Sequence, residues 1–223
     1  MNKYVFLSHK ISDKYPAYRN GERIKYEFIS TIESGSSSNT SRFLINSHYG
    51  THIDFPYHSL PNGKSINDYP ASFFVANNVI LARIPYSQVT NCLIGVEDLK
   101  FLKEEDRNAE ILFIDTLYSK FRNADLYWRE SIGFDNGVAE FLRLNFPKLR
   151  MIGFDQLSLT SYKHRHLGRV VHKEFFKYDI LPIEDVDFTE LKSYNKINSI
   201  VISPLRIDKL EAALVSIIAE INI

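Results

Sequence analysis

Three histidines and an aspartate crowd into the segment NSHYGTHIDFPYHSL, residues 46–60, of a chain that has only seven histidines. They are His48, His52, Asp54 and His58. Imidazole nitrogens and a carboxylate form a ligand set suited to zinc or manganese, one that can leave a coordination position for water. In an extended chain, side chains two residues apart share a face, so His48, Gly50, His52 and Asp54 are expected to point the same way. Gly50, lacking a side chain, would let metal, water or backbone approach closely. A helix could align His48 with His52, but it would turn Asp54 aside, and Pro56 opposes helix just beyond. His58 lies past that proline, near enough to act as an acid or base without being a ligand. The plainer reading is a polar loop whose histidines are hydrogen-bonded structural residues. Spacing alone leaves both open.

Short apolar runs rich in β-branched and aromatic residues must position this segment. YVFL (4–7), NVILARI (78–84), EILFID (110–115), RMIGFD (150–155), DILPI (179–183) and SIVIS (199–203) read as buried strands. Between them, FDNGVAEFLRLNF reads as a helix with Val138, Phe141, Leu142 and Leu144 on its apolar face and Pro147 marking its stop. VEDLKFLKEED offers Val96, Leu99 and Leu102 at helical spacing. The tail KLEAALVSIIAEINI fits either a helix or a strand, and ESGSSSNTS (33–41) reads as a mobile loop. Strands alternating with helices imply a mixed α/β fold in a single domain spanning residues 1–223.

Composition excludes several function classes. Lys+Arg and Asp+Glu both number 27, so no bulk charge directs the 223-residue chain to nucleic acid or an anionic membrane. Its first apolar run is too short for a signal-peptide core, and no stretch reaches transmembrane length. The one cysteine, Cys92, excludes an internal disulfide and a thiolate zinc cluster, so a cytoplasmic setting is expected.

HYGTHIDFPYH fills every fixed position of the His-x-Gly-Thr-His-x-Asp-x-Pro-x-His signature of the cyclase family, which includes bacterial kynurenine formamidases and isatin hydrolases. HKEFFKYDILPIEDVDF resembles the family's later His…Glu segment, with His172 and Glu184 twelve positions apart. LSHKISDKYPAY, GFDQLS and SPLRI extend the similarity along most of the chain.

The resemblance implies a swivelling β/β/α-type fold, assembled as a homodimer or homotetramer, and a site for two divalent cations, zinc with manganese as the alternative. It implies that His48, His52 and Asp54 hold one metal and that His172 and Glu184 help to hold the second. It further implies a metal-activated water attacking the amide, formamide or lactam carbonyl of a small aromatic substrate, with His58 transferring protons. Tyr18 stands where the family's formamidases carry a substrate-stacking tryptophan, followed by Arg19 where proline-glycine is usual. Asp115 stands where the family often has an arginine. Two rivals accompany this reading: a lyase or cyclase working through an enolate, and a binding protein that uses metal as a staple.

Four other features invite structural explanations. His9 reads as a satisfied structural histidine, with support of a site residue as the alternative, Asp155 as a carboxylate that anchors a loop or supports a site residue, and Cys92 as an inert apolar residue. Lys163, His164, Arg165, His166 and Arg169 form a basic cluster, read as a solvated face or lid, with contact to an anionic substrate as the alternative.

Overall fold

Strands that are apolar along their whole length must be buried on both faces, and three such runs lie side by side in this protein. A computed structural model describes residues 2–15, 17, 21–192 and 195–222. In chain order its elements are β1 (Asn2–Phe6), β2 (Lys25–Ser30), β3 (Thr40–Leu44), β4 (His52–Asp54), β5 (Val75–Ala76), β6 (Val79–Arg83), β7 (Leu93–Ile94), α1 (Val96–Leu99), β8 (Ile111–Asp115), α2 (Leu126–Arg129), β9 (Gly133–Phe134), α3 (Val138–Asn145), β10 (Met151–Phe154), α4 (Gly168–Lys177), β11 (Leu181–Glu184), β12 (Ile197–Pro204) and β13 (Ala212–Asn222).

The main sheet runs β5-β12-β13-β4-β11-β10-β8-β6, and β1 pairs with the far end of β13. β6, β8, β10 and β11 are parallel, whereas β4 runs antiparallel to β11 and to β13. Alternation along the parallel strands feeds two cores. Ile111, Phe113, Met151, Leu181 and Ile183 join a core with β1, β12 and β13. Leu112, Ile114, Ile152 and Phe154 join a second core with residues of α1, α3 and α4. Full burial of each such side chain is worth about 1.5–3 kcal/mol, which fixes the register of the central strands.

The ambiguous tail is a strand. Ala213, Val215, Ile217, Ala219 and Ile221 all enter the first core, a period of two, and pairing is available on both edges of β13. In α3 the expected apolar face is corrected at one position: Val138, Phe141 and Leu142 are buried, but Leu144 is 67% exposed. The Val96–Leu102 pattern is helical throughout, as α1 followed by a 3-10 segment, with Leu99 and Leu102 fully buried.

Residues 33–41 lie largely in the turn of the β2–β3 hairpin, where Asn39 Oδ1 accepts from Ile32 N and Thr31 O accepts from Ser34 N. The hairpin is an isolated ribbon, with Tyr26 paired to Phe43 and all but one of its strand residues exposed. No helix among the described residues is long and apolar enough to cross a membrane.

The carboxyl ends of the parallel strands gather acidic residues at one edge: Asp115 ends β8, Asp155 follows β10, and Glu184 ends β11. Such an edge is where open α/β sheets commonly carry their sites. Antiparallel β4 begins there too, pairing His52 directly with Glu184.

Candidate functional site

Strand alternation and one turn bring the histidine segment together. On β4, Ile53 enters the first core, so His52 and Asp54 project from the opposite face. Glu184 shares that face because Ile183 beside it points to the first core. The expectation of extended backbone from 48 to 54 is corrected: only His52–Asp54 is strand, and His48 arrives on a turn. Gly50 makes that turn possible with φ +78°, a left-handed conformation that other residues adopt with strain. Asn46 closes it, its side chain accepting from His48 N and its carbonyl from Tyr49 N. Pro56 then starts a 3-10 turn that ends on His58. His172 comes from α4, whose Val171 and Phe175 pack into the second core.

Asp54 is the centre of the group. It is 1% exposed, and neither of its oxygens has a hydrogen-bond partner of acceptable geometry among the described residues. Around Oδ1 lie His48 Nδ1 at 3.0 Å and His52 Nε2 at 3.4 Å, and around Oδ2 lie His172 Nε2 at 3.7 Å and His58 Nε2 at 4.0 Å. Glu184 approaches from the next strand, Oε2 3.3 Å from His52 Nε2 and Oε1 3.7 Å from His172 Nε2. Two triads, His48–Asp54–His58 and His52–Asp54–Glu184, have their ligand atoms within 4.8 Å of one another and share Asp54.

The outer hydrogen bonds aim the rings. Gly50 O lies 2.8 Å from His52 Nδ1 and Gly168 O lies 2.7 Å from His172 Nδ1. A carbonyl can only accept, so each Nδ1 carries the proton and each Nε2 lone pair is directed at the carboxylates. Glu184 Oε1 accepts from Leu159 N at 2.8 Å. Burial disfavours a charged His52, yet Asp54 and Glu184 outweigh it and hold its pKa well above the usual histidine value. Burial likewise opposes an ionised Asp54, but His48 and His52 hold its pKa well below the usual carboxylate range. A pair of buried carboxylates that calls for positive charge, faced by imidazole lone pairs, fits a divalent cation that replaces protons.

Beyond the group, a buried network holds the β11 terminus. Asp185 has φ +56°, and Arg122 Nε donates to its Oδ1 at 3.1 Å while Tyr127 donates to the same oxygen at 2.8 Å. Thr51, within the histidine segment, donates to Asp185 O at 2.6 Å and accepts from His9 N at 2.9 Å. His9 is structural, with Nδ1 3.3 Å from Asp187 Oδ2. Asp155 anchors the loop after β8: its Oδ1 accepts from Thr116 N and Oγ1, and its Oδ2 from Tyr118 N and Ser119 N. Burial nevertheless pushes its carboxyl up to about 6. Asp115 pairs with Arg83 at 2.8 Å and lies outside the cavity, so here that position is structural. Sequence reasoning missed Arg122, Asp185 and Glu211; Glu211 lies 3.3 Å from His48 Nε2.

A cavity of about 570 Å³ opens on the group, lined by His48, Asp54, His58, His172 and Glu184 on one side and by Leu157, Ser158, Thr160, Arg165 and Arg169 on another. That volume suits a small molecule. Tyr18, expected to stack on substrate, lies outside the described residues, as does Arg19.

A family model described as "Putative cyclase" matches residues 5–160. A kynurenine formamidase of Bacillus anthracis is 25% identical over 186 residues, covering 83% of this chain and 82% of that protein. Cyclase-like protein 1 of Arabidopsis thaliana is 24% identical over 208 residues, covering 86% of this chain and 76% of that protein. Among solved structures, isatin hydrolase A from Labrenzia aggregata superposes with TM-score 0.81 at 20% identity, covering 98% of this chain and 93% of that one. These structural likenesses show a shared fold. His172 and Glu184 fall outside the matched residues 5–160, so their place in the group rests on the geometry above.

Proposed function

The chain belongs to the cyclase family, and on that premise we propose that it is a metal-dependent hydrolase cleaving an amide, formamide or lactam bond of a small aromatic molecule, as its kynurenine formamidase relatives are named for doing. The observation that carries this reading is the Asp54 carboxylate, buried without a hydrogen-bond partner among the described residues and ringed by four imidazoles and Glu184. His48, His52 and Asp54 would hold one cation and His172 with Glu184 a second, zinc in both places with manganese as the alternative. A divalent cation there supplies Lewis acidity, making water a nucleophile near neutral pH and polarising a carbonyl oxygen.

The chain's own groups do the rest. His52 and His172 present fixed Nε2 lone pairs because their Nδ1 protons are tied to backbone carbonyls. His58 has no such tether among the described residues; it lines the cavity, with Nε2 4.0 Å from Asp54 Oδ2. Desolvation lowers its pKa, which favours the neutral, proton-accepting ring. His58 Nε2 takes the proton of the attacking water and returns it to the departing nitrogen. Leu157 offers an apolar contact for a flat ring.

The active form in this reading is a homodimer or homotetramer. Support comes from the β2–β3 ribbon, where Tyr26, Phe28 and Phe43 share one face and are 55%, 68% and 62% exposed. A two-stranded ribbon is marginal alone, and a second copy of the chain is the partner always at hand.

The test is metal analysis of protein purified without added metal, followed by assay with N-formylkynurenine, isatin and simple formamides. Bound divalent metal with turnover of at least one compound is expected, with oxygen-18 from solvent entering the product carboxylate. Full metal occupancy without turnover across the panel overturns the reading, and turnover without solvent oxygen replaces it with a lyase.

A further inference from the structure

The basic cluster of residues 163–169 divides in two in the folded protein. Lys163 pairs with Glu130, and His164 Nε2 lies 2.9 Å from Asn91 O. Arg165 and Arg169 do neither: both line the cavity beside His172, and neither has a carboxylate within ion-pair distance among the described residues. We infer that Arg165 and Arg169 select a substrate bearing a carboxylate separate from the bond that is cleaved. This rests on the hydrolase reading and adds to it the substrate's charge.

Three features place the two arginines beside the reacting centre. Arg169 and His172 are three apart on α4, so they share a face of that helix, and Arg165 lies one turn earlier. Gly168 between them presses the start of α4 onto Thr160, since a Cβ there would lie 2.5 Å from Thr160 Oγ1. The Arg165 guanidinium sits 5.6 Å from the Tyr162 ring centre, and Tyr162 packs edge-on against Trp128 at 5.0 Å. An arginine held beside an aromatic ring by a cation–π contact keeps its planar fork available for a carboxylate.

Charge around the cavity points the same way. Its acidic residues are Asp54 and Glu184, both within the metal-binding group, and Glu22, which pairs with Lys25 on the rim. Two dications on Asp54 and Glu184 would leave a net positive centre, and the arginines extend that field along the wall. Both arginines are exposed on the cavity wall, where a neutral substrate would leave their guanidinium groups to water and an anionic one would pair with them.

Two probes share one scissile formamide and differ only in charge: 2-formamidobenzoate and formanilide. With metal-loaded protein, Arg165→Gln and Arg169→Gln should each raise KM for 2-formamidobenzoate about tenfold or more, and leave formanilide within twofold. Their intrinsic reactivities cancel when each variant is compared with the wild type. Equal effects on both compounds, or none on either, overturn the inference. If the wild type turns over neither, the hydrolase reading stands or falls by the panel above, and calorimetric binding of 2-aminobenzoate decides the arginine assignment. Binding at least tenfold weaker in the metal-loaded double variant then supports it, and equal binding overturns it.

Discussion

Glu184 and His52 are direct partners across β11 and β4, and their side chains meet with Oε2 3.3 Å from Nε2. One cross-strand pair thus joins the amino-terminal histidine segment to a glutamate more than half the chain away. Directly opposed residues on a sheet lie on one face by construction, so pairing the strands assembles this part of the site without any loop having to close.

Asp54→Ala and Glu184→Ala should each lose bound metal together with activity, because neutral histidines cannot offset the charge of two cations. In the wild type, a metal concentration of 100 times Kd should stabilise the fold by about 2.7 kcal/mol. Thermal melts with and without chelator read this directly. A variant that keeps two metals per chain contradicts the assignment of its carboxylate as a metal ligand.

His58→Ala separates proton transfer from metal binding. Metal content and Tm should stay at wild-type values while kcat falls about 10²–10⁴-fold. Stoichiometric loss of one metal would instead make His58 a ligand, as its grouping with His48 and Asp54 allows. Full activity with both metals retained would sink the proposed mechanism.

Asp185→Ala removes one half of a buried ion pair and should cost about 3–5 kcal/mol in denaturant unfolding, since Arg122 is left charged and 6% exposed. Because Asp185 follows Glu184 directly, metal affinity should also fall, by about 10–100-fold. Unchanged metal affinity at lowered stability would mean that the network supports the fold alone.

Asp187 provides a pH test. Burial opposes its charge, but His9 and the Thr189 hydroxyl outweigh burial and depress its pKa well below the usual 3.8. A depressed carboxyl stabilises the fold above its unfolded value and loses that contribution as pH falls below it. Asp187→Asn should therefore cost about 1–2 kcal/mol at pH 7. The gap from wild type should narrow steadily below pH 4 in urea melts. A gap independent of pH would show that its charge is immaterial.

How far the sequence carried this picture depended on the range of each interaction. The central strands were legible because two-sided burial writes continuous apolar runs, as in Ile111–Asp115 and Met151–Phe154. The histidine segment announced its chemistry, but the turn at Gly50 did not show, since glycine suits a close approach and a left-handed φ equally. Leu144 fits the apolar stripe by spacing yet faces solvent, because α3 is only eight residues long and buries a narrow face. The Arg122–Asp185 pair spans 63 positions with no local pattern to mark it. The basic cluster was visible as composition, while its division into paired and cavity-lining members needed three dimensions.

The β2–β3 ribbon has roots as well as a surface. Gly21 and Glu22 lead into it, Asn46 leads out of it, and all three also line the cavity. Whatever clasps the ribbon therefore sets the doorway to the chemistry. If a second copy clasps it, as proposed above, dilution would register first as weakened substrate capture, well before any melting of the sheet beneath.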